Sequence, residues 1–375
     1  MARYKVKGKD CQLKIIYYDG SSEEYMYNDK GQCIKHIDRS GNAVRMSYDN
    51  KGNIVQRIDA LRRRTNYIYD ACNRLLSVSI NGKLLMKNTY DKKGNLLSTE
   101  NASGNKNSIK YDENGHIVMV VSPDGGIEEY FYNKNGDVES FKNHFGGVTC
   151  YEYDNLHRVT KITNPCGGVS QYEYSDDGNL VEEINESGDK KSYTYNEKGL
   201  LVKTIDYNGA VTERTYNEIN KVKELTDACG NKTSYCYDKM WNVSKVSLPN
   251  GAETLYSYDK DNNLSEITDS LGETTYFKYD LNGNCISEER NGISSRFYYD
   301  SVGRKVKIEY LNGMICKYEY DMFDNIIHID NEDGVQVYME YDESNNLTRQ
   351  SNSEGEIRVF TYTEDGKIKT IEDEF

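Results

Sequence analysis

Two adjacent carboxylates, Asp176 and Asp177, stand beside Gly178 in the stretch YEYSDDGNL (172–180), and paired carboxylates are what general acid–base catalysis requires. The run DKDNN at 259–263 offers the hard oxygen donors that calcium takes. Histidines at 36, 116, 144, 157 and 328 and cysteines at 11, 33, 72, 150, 166, 229, 236, 285 and 316 add bases, nucleophiles and soft ligands. Spacing argues against all of these. There is no CxxC pair, no EF-hand spacing, no nine-residue calcium roll and no phosphate loop. The one concentrated basic run is Arg62, Arg63 and Arg64, read as a solvated loop, and the single tryptophan is Trp241.

What positions these residues is a repeat. Tyrosine occurs at Tyr27, Tyr48, Tyr69, Tyr90, Tyr111, Tyr132, Tyr153, Tyr174, Tyr195, Tyr216, Tyr237, Tyr258 and Tyr279 with a constant 21-residue step. Tyr299 follows after 20 residues, and Tyr320, Tyr341 and Tyr362 resume the step of 21, giving seventeen ladder tyrosines. The residue after each is Asp or Asn in 15 of 17 units. The fourth residue on is Gly or Asn in 14 of 17, and the departures, His157, Trp241 and Asp324, are the first places to look for specialisation. The sixth is apolar or Cys in 16 of 17, Lys305 being the exception.

These positions define two tight turns per unit, D-x-x-G and [DN]-x-x-G. Asp or Asn accepts a hydrogen bond from the backbone two residues on, and Gly or Asn tolerates positive φ. Pro123, Pro165 and Pro249 each fall at the second position of a turn, where a fixed φ helps. Asp176 and Asp177 therefore occupy solvated turn positions that Lys92 and Lys93 fill elsewhere. The histidines fall at five different phases, so no nucleophile–base pair can be read. No catalytic, cofactor-binding or metal-binding residue is predicted, and no cofactor.

Between the turns lie segments of a length suited to strands and too short for stable helices. The segment ending at each ladder tyrosine alternates, as in Tyr172-Glu173-Tyr174, so both rings share one face. In the other segment apolar residues often lie three apart, as in Val159 and Ile162. That spacing implies either a bulge or a strand covered on both sides.

Consecutive short hairpins admit only an all-β, antiparallel sheet that grows by one hairpin per repeat. Roughly 34 strands spaced about 4.8 Å apart make a ribbon about 160 Å long, which twist would curl into a spiralling, open or partly closed shell. Residues 1–26 read as a degenerate opening half-repeat, and 27–375 as one repeat domain without a separate C-terminal toxin or core domain. Apolar residues are only 37%, so 34 tyrosines are expected to do much of the packing of a thin structure, their rings stacked along the ribbon.

The unit written from Tyr172 to Gly188, YEYSDDGNLVEEINESG, or from Tyr90 to Gly104, YDKKGNLLSTENASG, resembles the YD repeat of the Rhs family. That family includes bacterial polymorphic toxins, wall-associated proteins, the B and C components of insecticidal toxin complexes, and the teneurins. The resemblance spans residues 15–375. It implies a spiralling β-shell that encloses a toxic C-terminal domain or serves as an extracellular scaffold. Relatives that release a toxin carry D-P-x-G-like motifs and catalytic aspartates after the repeats. No D-P dipeptide occurs here, so no catalytic residue carries over.

The expected function is a non-catalytic scaffold, with an encapsulated polypeptide or adjoining Rhs segments as partners. The alternative is a glycan- or cell-wall-binding module acting through stacked tyrosines. A net charge of −14 argues against nucleic acid. No segment has membrane-spanning length and the N-terminus lacks a signal-peptide pattern, so membrane insertion is not expected and no compartment is assigned.

Overall fold

The computed structural model describes residues 3–7 and 12–374; Cys11 lies outside them. Every regular element among these residues is a β-strand, and the 36 strands belong to one antiparallel sheet. No helix among the described residues is long and apolar enough to cross a membrane, which says nothing about a barrel.

The repeat is built from two strands and two turns. In the unit around Tyr174, the strand Val169–Tyr174 places Tyr172 and Tyr174 on one face, while Gln171 and Glu173 are exposed on the other. Both turns have the same construction. Asp154 N–H donates to the Arg158 carbonyl at 2.9 Å and the Asp154 carbonyl accepts from His157 N–H at 3.1 Å. In the second turn, Asn164 N–H donates to Gly168 O at 2.9 Å and Gly167 N–H to Asn164 O at 3.0 Å. Each is a type I turn closed by one left-handed residue, the three-residue loop that suits the twist of a hairpin.

The strand Val159–Thr163 carries a bulge. Tyr153 stands opposite Val159 and Glu152 opposite Lys161, so Thr160 is an extra residue in its strand. Ile162 stands opposite Tyr151. The bulge therefore returns Val159 and Ile162, three apart in sequence, to the face of the tyrosines. The same shift recurs at Tyr258, where Leu264 and Ile267 face Tyr258 and Tyr256.

The single 20-residue step has a local cause. Before Tyr299 the second turn is the two-residue Asn291–Gly292, with φ of 53° and 76°, and Arg290 pairs directly with Ile293. An equally short turn, Asn81–Gly82, precedes Tyr90. There a bulge at Leu85 replaces the lost residue, since Val78 pairs with Met86 and Ser79 with Leu84.

By its contacts the chain divides into two compact units. Unit one comprises Met1–Ile109, Ser122–Gly125 and Tyr276–Phe375, and unit two comprises Lys110–Val121 and Gly126–Thr275. In unit two, successive strands from Ile117–Val121 to Leu264–Thr268 pair in sequence order. Unit one opens with the strands Arg3–Lys7 and Gln12–Ile16, joined in register to Ser22–Tyr27, which ends at the first ladder tyrosine. Strands touch only their sheet neighbours. Among the described residues Cys316 is the one buried apolar side chain and none is fully buried, so no conventional core exists.

Candidate functional site

The first turn of each repeat is organised by the residue after the ladder tyrosine. Asp154 Oδ1 accepts from the N–H groups of Leu156 (2.9 Å) and Arg158 (3.0 Å), and Oδ2 accepts from Arg158 Nε at 2.7 Å. The Arg158 backbone bond, with the guanidinium beside it, holds the Asp154 carboxyl below the usual carboxylate range. Asp70 is lowered in the same way by Arg74, and Asp49 by the side-chain amide of Asn53. These carboxylates are consumed as turn acceptors, which leaves them unsuited to acid–base chemistry.

Three residues on, the backbone is left-handed in all seventeen units, whichever residue is present. The pattern-breaking His157, Trp241 and Asp324 have φ of 63°, 68° and 73°. A bulky residue is strained there. What each side chain touches shows a relation between repeats that was not read from the sequence: the fifth residue of one unit reaches the fourth residue of the next. Asn53 Nδ2 donates to Asn73 Oδ1 at 3.1 Å, and Asn325 Nδ2 to Asn345 Oδ1 at 3.0 Å. His157 Nδ1 lies 2.8 Å from Asp137 Oδ1, and Arg304 Nη1 donates to Asp324 Oδ1 at 2.7 Å. Lys221 Nζ donates to the Trp241 carbonyl at 2.9 Å, which leaves the indole itself half-exposed. The signal was a 20-residue spacing between complementary residues.

The ladder tyrosines are tied to the repeat before them. Tyr174 Oη donates to Val159 O at 2.9 Å, and Val159 is the residue opposite Tyr153. The same bond joins Tyr48 to Cys33 O, Tyr132 to Ile117 O, Tyr237 to Val222 O and Tyr362 to Leu347 O. The expected ring-on-ring stacking is replaced by an alternation. Ladder tyrosines sit two strands apart, about 9.6 Å at ordinary strand spacing, beyond stacking range. The fifth residue of the preceding repeat fills the interval. Arg74, Arg158 and Arg304 lie 4.9, 4.6 and 4.6 Å from the ring centres of Tyr90, Tyr174 and Tyr320. His116 stacks on Tyr132 at 4.7 Å.

Within unit one, second turns near the N-terminus meet first turns some 241 to 261 residues later. Asn282 Nδ2 donates to Asp38 Oδ2 at 2.9 Å, and Ser344 Oγ to Ser103 Oγ at 2.7 Å. The centre of this seam is ionic. Arg63 Nε donates to the buried Asp59 at 2.6 Å and Nη1 to Asp324 Oδ1 at 2.5 Å, while Arg304 bonds Asp300 at 2.7 Å as well as Asp324. Desolvation opposes the charge on Arg63, and its bonds to Asp59 and Asp324 outweigh that and raise its pKa. The sequence reading of Arg62–Arg64 as a solvated run thus fails at Arg63. The docked second turns carry Arg39, Arg62, Arg63 and Lys83 against Asp38 and Asp59, whereas the first turns opposite carry six carboxylates against Arg304.

The other candidates stay apart. Asp176 and Asp177 are exposed in the Ser175–Gly178 turn, and Asp259 accepts from its own turn amides. His36 stacks on Tyr25 and His328 on Tyr338, while His144 lies tilted against Phe145, all in separate settings. The eight cysteines among the described residues are free thiols. Among the described residues no three His, Cys, Asp or Glu side chains converge as a metal site would require.

A single sheet of tandem β-hairpins, joined from repeat to repeat by tyrosine hydroxyls and turn side chains, defines a repeat protein of the YD type. The chain belongs to the teneurin YD-shell family, whose model matches residues 11–130, 86–248 and 241–371. No curated protein matches it. Among solved structures it is similar to TcdB2–TccC3, with TM-score 0.78 and 14% identity, covering 100% of this chain and 27% of that one. A TcdB2–TccC3–Cdc42 structure gives TM-score 0.57 at 17% identity, covering 95% of this chain and 22% of that one. The Photorhabdus luminescens Tc holotoxin pore gives TM-score 0.56 at 13% identity, covering 99% and 26%. At these identities the likeness is one of fold, and the chain spans about a quarter of the length of the structures it matches.

Proposed function

We propose that the chain is a non-catalytic YD-repeat scaffold, a segment or orphan relative of a toxin-encapsulating or cell-surface protein, in which the repeats of 27–375 act as one domain. Its seventeen tyrosines serve as structural rungs, and their face covers a polypeptide supplied by the same or an adjoining protein. The observation that carries this reading is the unfinished burial of that face. Strands touch only their sheet neighbours, and the ladder rings are only half-buried after their hydroxyls are satisfied. An aromatic face of this extent gains most from a chain laid against it. The turn carboxylates and separated histidines support the non-catalytic part. The chain's similarity in fold to TcdB2–TccC3 supports a place among toxin-complex proteins.

The test is purification from the native host, followed by mass spectrometry of whatever polypeptide remains bound and protease digestion of the complex. A stoichiometric, protease-protected polypeptide supports the scaffold. A chain that emerges alone and binds purified wall polysaccharide saturably overturns it in favour of the glycan module.

A further inference from the structure

A gap in the unit-one seam has a turn length as its cause. The second turns around Asp38, Arg63 and Ser103 meet the first turns opposite through hydrogen bonds with Asn282 (2.9 Å), Asp324 (2.5 Å) and Ser344 (2.7 Å). Between Arg63 and Ser103 in sequence, the turn Asn81–Gly82 is one residue shorter, and it reaches only to 3.9 Å between Asn81 Nδ2 and Met322 Sδ. Beside it lies a cavity of about 520 Å³, lined on the second-turn side by Lys83, Leu84 and Ala102. That volume suits a small organic molecule.

The other wall comes from two first turns and the strands beside them. Phe323, Ile327, Met339 and Tyr341 supply aromatic and apolar surface. Tyr341 Oη already donates to Ile326 O at 2.8 Å, so what this residue offers the cavity is its ring. The charged lining is Asp321, Glu340, Asp342 and Glu343 against Lys83. Glu340 pairs with Arg349 at 3.1 Å, and Asp321 and Asp342 accept from amides of their own turns. Counting Arg349 and the adjoining seam groups, Arg63 and Arg304 with Asp59, Asp300 and Asp324, acid stays in excess, seven carboxylates to four cations. Glu343 is exposed and makes no ion pair among the described residues. The chain itself shows what Phe323 accepts: Lys83 Nζ lies 5.8 Å from its ring centre, within cation–π range.

We propose that this cavity binds a small organic cation, an alkyl- or arylammonium whose apolar body lies against Leu84, Ile327 and Met339 and whose charge faces Glu343 and the Phe323 ring. The Lys83 ammonium competes for that ring, and the Glu343 carboxylate is the open counter-charge. An anion of the same shape would meet the excess of acid and be turned away. The site does not depend on whether the ladder face covers a polypeptide.

An NMR titration of the whole protein, isotope-labelled at its methionine methyl groups, tests this with phenethylammonium chloride as the probe and hydrocinnamate as an anion of similar size. The Met339 methyl signal should shift saturably with phenethylammonium, with a Kd of about 1 mM or tighter. Hydrocinnamate should bind at least roughly tenfold more weakly. E343Q should weaken the ammonium by about threefold, the worth of one exposed ion pair. K83M keeps the aliphatic stem and removes the competing charge, so it should tighten binding by about the same factor. Circular dichroism checks that both variants keep the fold. A Met339 signal that does not shift, hydrocinnamate that binds as well as the ammonium, or folded variants that leave the affinity unchanged each overturns the proposal.

Discussion

Replacing Asp324 by alanine and by glycine separates two opposing effects at the centre of the unit-one seam. Both variants abolish the bonds from Arg63 and Arg304, which share Asp324 Oδ1. Asp324 is 52% exposed, so solvent screens it, and each ion pair contributes about 0.5–1 kcal/mol. Alanine keeps the strain of a φ of 73°, whereas glycine relieves about 1 kcal/mol of it. The expected costs are therefore about 2 kcal/mol for D324A and about 1 kcal/mol for D324G. A repeat array need not unfold in one step, so the assay should be local. Hydrogen exchange at Arg62, whose N–H donates to Asp59 O at 2.9 Å, reads the opposite side of the seam. A loss of 1–2 kcal/mol accelerates exchange there roughly 5- to 30-fold, with D324A faster than D324G. In about 1 M salt, where the Debye length falls to about 3 Å, wild type should approach the variants. If Arg62 exchange is unchanged while the 321–325 turn alone loosens, the seam carries no energy and its ionic account fails.

Y174F keeps the ring and removes only the donor to Val159 O at 2.9 Å. The orphaned half-buried carbonyl should cost about 1 kcal/mol, read as faster exchange in the strand Val159–Thr163. At high pH, Tyr25 and Tyr207 should titrate near 12, because bonds to Glu23 and Glu183 favour the protonated phenol in the fold. The unfolded phenol ionises near 10, so their contribution is complete below about pH 10 and is lost as pH rises to about 12. Y25F together with Y207F should flatten stability across that window, measured by circular dichroism with absorbance titration. At low pH the sign reverses. Asp49, Asp70 and Asp154 are lowered by hydrogen bonds from Asn53, Arg74 and Arg158, so their contribution holds above about pH 4 and disappears as pH falls through their folded values. Acid should therefore loosen first turns before second turns such as Leu248–Ala252, which contains no carboxylate, as hydrogen exchange at graded pH would show.

Most of the fold could be read from the chain because each repeat states the same local rules again. Asp after the tyrosine, a left-handed residue three further on and alternation up to the next tyrosine are local features, and seventeen repetitions leave little room for another fold. The Val159–Ile162 spacing left two readings open, and pairing decided for the bulge, since only an inserted residue returns both to the tyrosine face. The short step before Tyr299 was visible as a number and opaque as a cause. Asn291–Gly292 and Asn81–Gly82 look alike in sequence, and only the partner strand shows that one unit restores its residue at Leu85 while the other does not.

The exceptional positions were visible as exceptions, and what they do was not. Their partners lie either 20 residues away, in the neighbouring repeat, or some 260 residues away, across the seam. A pattern search aligned on tyrosine compares equivalent positions. The contacts that matter join non-equivalent ones, the fifth residue to the fourth and a second turn to a first. His157 therefore makes sense only beside Asp137, and Asp324 only beside Arg304 and Arg63. Trp241 is the remaining departure, and its indole has no such polar partner, only its carbonyl being held by Lys221 of the preceding repeat. In a repeat protein the consensus describes the lattice, and specific function has to be sought where a residue departs from the consensus and its neighbour departs with it.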